Sequence, residues 1–206
     1  MHQLRKTATG IALLSIAFAG LPNEASAQRL ERGAILVATP SLGDTSFVES
    51  VVLVLDHSDE NGSIGLIINR PTNLTPSQVF PDTGTNTYDG TVFYGGPVTP
   101  TRAFLLLRQP SDADPEERLV PILDGVYLSG GFESLAALDA ASQTSSRVRI
   151  YAGHARWGPG QLDAELAAGA WTLARSNAGL VFRETPLGLW QELQASTTRQ
   201  EIVRAD

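Results

Sequence analysis

The stretch VVLVLDHSDENGSIGLII, residues 51–68, decides the fold class of this chain. Its two apolar ends, residues 51–55 and 64–68, have the length and the β-branched content that are typical of buried strands. Polar residues connect them and lead to Asn61-Gly62, a dipeptide that favours a hairpin turn. Because the connection is longer than two residues, we expect an antiparallel hairpin whose turn is wider than the minimal type.

Outward from this hairpin, short apolar runs alternate irregularly with single helical patterns. We predict strands at residues 34–38, 91–94, 103–107, 125–128, 147–151, 171–173 and 180–182, and helices at 76–80, 133–141, 161–168 and after Thr185-Pro186. Alternating charged and apolar residues at 147–151 predict an edge strand, and the acidic segment 109–118 predicts an exposed loop. Because strands and helices do not alternate strictly, a doubly wound parallel sheet is not favoured. We expect one α+β domain with a mixed, mostly antiparallel sheet and a few packing helices.

The composition excludes several kinds of chemistry. The 206 residues contain no Cys, which excludes disulfides, thiolate zinc sites and cysteine nucleophiles. Lys6 is the only lysine, so the chain after residue 27 has neither a Schiff-base lysine nor a Walker-A lysine. The net charge of −7 repels phosphate backbones and argues against a nucleic-acid partner. No motif indicates a cofactor, and the ligand or protein partner is not identified by the sequence.

The first 27 residues have the three parts of a secretory signal. Arg5 and Lys6 form a basic start, residues 11–21 are apolar, and small residues lead to a cleavage position after residue 27. The apolar run is too short for an ordinary membrane span, and we expect no membrane span in the mature chain. We therefore predict a cleavable signal peptide at residues 1–27, one domain at residues 28–206, and a periplasmic or secreted location.

Three segments carry a resemblance to a known family. The first is LVATPSLGD at residues 36–44, and the second is GLIINRP at 65–71 with GGPV at 95–98. The third is WGPGQL at 157–162, followed by Glu165, Gly169 and Trp171. In this order and spacing, over about residues 33–195, the chain resembles the YqgE/AlgH family of bacterial proteins.

The resemblance implies a compact α+β fold whose bifurcated sheet curls toward a pseudo-barrel. It implies no established enzyme activity; one member is linked to the regulation of alginate production, from which a transcriptional role was proposed. Members usually lack an export signal, so a cytoplasmic location is the alternative here. The family usually has Gly-Tyr-Ala-small-Trp where this chain has Gly153-His154-Ala155-Arg156-Trp157. If that turn lines a pocket, its ligand preference differs from that of the relatives.

Ser41, Asp44 and His57 are the candidate catalytic residues, because a serine, a carboxylate and an imidazole can form a hydrolytic triad. Ser41 does not lie in a G-x-S-x-G elbow. The alternative is a turn in which Ser41 or Asp44 bonds nearby backbone N–H groups. His57 and His154 with a carboxylate would also suit zinc or iron, but their spacing gives no support, and we predict no metal site.

Arg70, His154 and Arg156 are the candidate ligand-binding residues. The planar guanidinium of Arg70 suits an anionic ligand, and a cross-strand ion pair with Asp56 is the alternative. Gly95-Gly96-Pro97 and Gly158-Pro159-Gly160 have neither phosphate-binding pattern, so we expect them to serve turns and close packing.

Three functions are consistent with these observations. The first is a non-enzymatic binding, accessory or regulatory protein of the cell envelope. The second is a hydrolase-like enzyme that uses Ser41, Asp44 and His57, which requires those side chains to meet in one cleft. The third is a cytoplasmic transcriptional regulator, which requires that residues 1–27 do not direct export.

Overall fold

A computed structural model describes residues 29–81, 83, 88, 90–108, 119–129 and 146–205, with side chains as far as residue 197. The predicted signal segment, the loop at 109–118 and the helix at 133–141 lie outside these residues. The strands are β1 (Ile35–Ala38), β2 (Val51–Ser58), β3 (Gly62–Ile67), β4 (Val92–Tyr94), β5 (Val98–Arg108), β6 (Leu119–Leu123), β7 (Val126–Ser129), β8 (Val148–Trp157) and β9 (Trp171–Ala174). The helices are α1 (Pro76–Val79), α2 (Gln161–Ala167), α3 (Ala178–Val181) and α4 (Leu189–Ala205), with 3-10 turns at Thr45–Phe47 and Pro186–Gly188.

The predicted hairpin at residues 51–68 is confirmed. β2 and β3 pair antiparallel from Val52 opposite Ile67 to Ser58 opposite Gly62, and a bulge interrupts the register between Val54 and Asp56. Three residues connect the strands, as expected for a turn wider than the minimal one. The hairpin therefore forms the centre from which the sheet extends.

The strands within the described residues form one nine-stranded sheet in the order β6-β7-β5-β8-β3-β2-β1-β9, and β4 pairs off this path with β8. Every pair is antiparallel except the parallel pair of β4 and β8. The first half of β8 has β4 on one edge, whereas its second half has β3 there. This fork confirms the mixed, bifurcated sheet, which curls into a half-barrel.

Glycines make the fork sterically feasible. Gly153 lies in β8 with φ +71°, and opposite it the partner strand β5 shifts register between Val98 and Ala103. A Cβ at Gly95, just after β4, would overlap the carbonyl oxygen of Gly153. The predicted role of the Gly95-Gly96-Pro97 segment in close packing is therefore confirmed.

Apolar residues fill both faces of the sheet. The inner side of the half-barrel is closed by α3 and α4, whose Val181, Leu189 and Leu193 pack against Val37 and Leu53. On the other side, Trp157 and Trp171 pack around Phe47 with α2. Trp190 of α4 donates its indole N–H to the carbonyl of Ala38 at 2.6 Å.

Several local predictions are wrong, for identifiable reasons. Residues 148–151 belong to β8, which is a central strand and not the predicted edge strand. The alternation was misleading because its charged residue Arg149 is buried instead of facing solvent. Residues 180–182 do not form a strand, because Asn177 caps α3 through its side chain at Leu180 N. The sequence analysis missed β6, which contains Pro121; it lies at the end of the sheet order, where a strand tolerates proline.

Candidate functional site

Ser41 and Asp44 lie on the connection between β1 and β2, where they bond to nearby groups. The Ser41 hydroxyl donates to Gly169 O at 3.2 Å and lies 2.7 Å from the Thr39 hydroxyl. The Asp44 carboxylate accepts from Ser46 N at 2.8 Å and caps the 3-10 turn. These are the bonds of turn residues.

His57 lies at the other end of β2. Its Nδ1 is 2.8 Å from the Ser63 hydroxyl on β3. β1 ends beside the start of β2, so Ser41 and His57 are separated along β2 by roughly 20 Å, at about 3.3 Å per residue. A triad needs them within about 3 Å. The structure therefore does not bring the three candidate catalytic residues into one cleft.

Arg70 stabilises the chain reversal before β2. Its guanidinium donates to Ser46 O at 2.7 Å and to Val48 O at 2.6 Å, and it lies 5.9 Å from the centre of the Tyr94 ring. The alternative pairing of Arg70 with Asp56 does not form, because Asp56 pairs with Arg32 at 2.8 Å. The two donated bonds leave this guanidinium occupied by backbone carbonyls.

The third family segment forms a cluster around Glu165 of α2. One carboxylate oxygen accepts from the indole N–H of Trp157 at 3.0 Å and from that of Trp171 at 2.8 Å. The other oxygen accepts from Gln161 at 2.9 Å. Phe47 stacks on Trp157 with ring centres 5.9 Å apart. This cluster joins α2 to the ends of β8 and β9, so the segment serves the fold.

A cavity of about 450 Å³ lies between β4, β8 and the segment that precedes α4. Its walls are mostly apolar, and a few polar groups face it. The lining includes Pro71, Thr91, Phe93, Arg149, Glu184 and Leu187. A concave, largely apolar space with a few polar side chains is the usual form of a small-ligand site.

Arg149 is the most unusual residue of this cavity, because its guanidinium is buried and pairs with no acidic side chain among the described residues. Only 4% of its surface is exposed. It donates to Arg183 O at 2.6 Å and lies over the Phe93 ring at 4.5 Å, while its Nε has no hydrogen-bond partner. Glu184 lines the same cavity, yet no ion pair joins these two described residues. A buried cation of this kind costs several kcal/mol unless an anion accompanies it.

Two further polar groups are buried along the same side of β8. Tyr151 shares a face with Arg149, and burial raises the pKa of its hydroxyl, which has no hydrogen-bond partner among the residues that the structure describes. After the bulge at Gly153, His154 turns to this side and contacts Phe104, which lies opposite Tyr151. Its Nδ1 is also buried without a partner in the described structure.

The sequence analysis identified His154 and missed Arg149. The sequence did contain a signal for the burial of Arg149. This residue lies inside a run of apolar residues that is long enough for a central strand. Alternation alone indicated an edge, because a solvent-facing arginine gives the same pattern as a buried one. His154 and Arg156 lie in β8, so the segment that was expected to be a turn is part of a strand. Arg70 follows β3 and contacts the separate turn before β2.

The sequence pattern of the AlgH-like family matches residues 35–200. The chain belongs to this family. It is 38% identical over 160 residues to a UPF0301 protein from Myxococcus xanthus, covering 76% of this chain and 84% of the relative. It is 39% identical over 166 residues to UPF0301 protein SCO2948 from Streptomyces coelicolor, covering 78% and 83%. The predicted YqgE/AlgH membership is confirmed, and these names carry no biochemical activity.

Two solved structures share the fold. The AlgH protein from Pseudomonas aeruginosa superposes with a TM-score of 0.61 at 28% identity, covering 82% of this chain and 88% of that protein. Protein DIP2367 from Corynebacterium diphtheriae gives a TM-score of 0.66 at 23% identity, covering 80% and 86%. These structures support the half-barrel, and the function has to be argued from the site.

The described residues contain no group of three or more His, Asp or Glu side chains placed to hold a metal ion. None of the helices among them has the length and hydropathy that crossing a membrane requires.

Proposed function

We propose that this AlgH-like protein is a non-enzymatic binding protein that takes a small anionic ligand into the cavity beside Arg149. The observation that carries the proposal is a buried guanidinium that pairs with no acidic residue of the described part of the chain. An anion in the cavity would supply the missing counter-charge to this guanidinium, whose buried Nε has no partner within the described structure.

The shape of the cavity supports a ligand with an apolar part. Phe93 covers one face of the guanidinium, and Pro71 and Leu187 add apolar wall. Leu187 is 72% exposed, which places an apolar side chain at solvent beside the cavity. A ring or short hydrocarbon carrying one carboxylate or phosphate would satisfy both the charge and the walls.

Replacement of Arg149 should affect ligand binding and the free energy of unfolding differently. A methionine at position 149 would fill similar volume without a charge, so replacement of Arg149 relieves the desolvation cost of an isolated buried ion. It also removes one hydrogen bond to Arg183 O and the contact with Phe93, each a favourable interaction of about 1–3 kcal/mol. We therefore expect Arg149→Met to keep the stability of the empty protein unchanged or to raise it.

The test compares Arg149→Met with Arg108→Met, which removes an exposed arginine at the end of β5. Thermal unfolding and calorimetric titration use benzoate, phenyl phosphate and inorganic phosphate as probes. At a probe concentration of 100 times the dissociation constant, bound anion adds about 2.7 kcal/mol of stability. We expect at least one probe to stabilise the wild type and Arg108→Met but not Arg149→Met. If no probe binds the wild type, or if Arg149→Met binds equally well, the proposal is wrong.

We place this binding outside the cytoplasm, on the basis of the signal pattern in residues 1–27. The alternative, a cytoplasmic regulator, requires that this segment is retained inside the cell. Sequencing of the amino terminus from fractionated cells decides between them. A periplasmic protein that begins at Gln28 supports export, whereas a cytoplasmic protein that begins at Met1 contradicts it.

A further inference from the structure

His154 is buried farther along β8 and does not line the cavity described above. It is 6% exposed, and its ring lies 5.2 Å from that of Phe104 on β5. The imidazole hydrogen-bonds the backbone of Val98, and its Nδ1 has no partner within the described structure. One ring nitrogen is therefore occupied by the fold, and the other is a buried polar atom whose hydrogen-bonding capacity is not satisfied within the described structure.

Two arginines lie beside this imidazole. Arg102 of β5 lies over the Phe104 ring at 5.1 Å, and Arg156 follows His154 by two residues on β8. Both are exposed, and neither forms an ion pair with a described residue. In a chain with 22 acidic and 15 basic residues, a histidine beside two arginines that form no ion pair with the described residues is unusual.

We propose that Arg102, His154 and Arg156 form a second anion-binding site, independent of the Arg149 cavity, for a compact oxyanion such as sulfate, phosphate or a carboxylate. The arginines supply the charge at the surface, and the imidazole supplies a donor beneath them. The anion would lie at the surface beside Arg102, in the segment of β5 where the register against β8 shifts between Val98 and Ala103.

Binding at this site is coupled to protonation of His154. Burial lowers the pKa of the empty imidazole, and Arg102 and Arg156 lower it further. These two arginines are the charged groups that act on it from β5 and β8. A bound anion reverses part of this effect, because it balances the added charge and accepts from a protonated Nδ1. Anion affinity should therefore rise as the pH falls.

His57 provides a control within the same molecule, because its Nδ1 already contacts the Ser63 hydroxyl. The ring signals of both histidines are followed by NMR from about pH 5 to 8, in sulfate and in chloride of equal ionic strength. Sulfate does not titrate in this range. We expect sulfate to raise the pKa of His154 by about one unit or more, which corresponds to tenfold tighter binding to the protonated form. The ring signals of His57 should not respond to the exchange of chloride for sulfate.

Variants assign the response to the site. Arg102→Gln and Arg156→Gln each raise the pKa of His154 in chloride and reduce its further rise in sulfate, whereas Arg108→Gln changes neither. Arg149→Met should leave the response of His154 to sulfate intact, so the proposal for this site and the proposal for the cavity are tested separately. Equal shifts of both histidines would indicate general screening and refute the site. Retention of the full shift in both arginine variants would refute it as well.

Discussion

Replacement of Glu165 by alanine tests whether the third family segment serves the fold. The indoles of Trp157 and Trp171, each 2% exposed, donate to one carboxylate oxygen at 3.0 and 2.8 Å. Hydrogen bonds to a charged group contribute about 1.5–3 kcal/mol each. Glu165 is half-buried, so water can replace part of what is lost. We therefore expect Glu165→Ala to lower the free energy of unfolding by about 3 kcal/mol, which is the lower end of the range for two such hydrogen bonds.

For a domain of this size, about 3 kcal/mol corresponds to a fall in Tm of roughly 6–12 °C. Urea unfolding followed by tryptophan fluorescence and by far-ultraviolet circular dichroism measures the change. Asp163→Ala is the matched control, because it removes an exposed carboxylate from the same helix without touching an indole. It should cost less than about 1 kcal/mol. If Glu165→Ala and Asp163→Ala unfold at the same urea concentration, the structural role of Glu165 is refuted.

Three further predictions concern stability. Asn69→Ala should cost about 3 kcal/mol by urea unfolding, because the buried amide accepts from Val51 N and donates to Glu49 O, both at 2.9 Å; a loss below about 1 kcal/mol would contradict this. Gly153→Ala should cost at least about 2 kcal/mol in the same assay, since φ is +71° and a Cβ would overlap Gly96 O; an unchanged midpoint would show that the bulge tolerates a side chain. The lowered pKa of His154 means that the unfolded chain binds this proton more tightly, so unfolding free energy should fall as the pH drops through the unfolded value of 6.5. In His154→Phe, this fall in the free energy of unfolding between about pH 7.5 and 5.5 should be absent. If the variant and the wild type show the same pH dependence, His154 is not its source.

The sequence predicted the sheet well where apolar runs and turn residues agree. The hairpin at residues 51–68 and the strand at β1 needed no tertiary information, because their periodicity and punctuation indicate the same structure. The start of α1 at Thr75-Pro76 was also predicted, and Gln78 completes its cap by accepting from Thr75 N at 2.9 Å.

The sequence failed where distant contacts decide the outcome. The buried position of Arg149 depends on β4 and the 183–187 segment, which lie many residues away. The same holds for Arg70, whose carbonyl partners Ser46 and Val48 are 24 and 22 residues away in sequence. An ion pair was the predicted alternative for Arg70, and an edge strand implied a solvent-facing Arg149. The fold instead placed both guanidinium groups against backbone carbonyls and aromatic rings.

The contrast between two central strands bears most directly on function. All four residues of β1 are apolar and buried, whereas β8 buries polar atoms of Arg149, Tyr151 and His154 without hydrogen-bond partners in the described structure. Each such atom carries a desolvation penalty of about 1–3 kcal/mol, and more for the charged one. Apolar residues at these positions would remove that penalty and keep the sheet, as β1 demonstrates. Buried polar groups with such a penalty are expected where a bound ligand supplies their missing hydrogen bonds and counter-charge. Replacing them with apolar residues should therefore give a variant that is more stable but no longer binds anions.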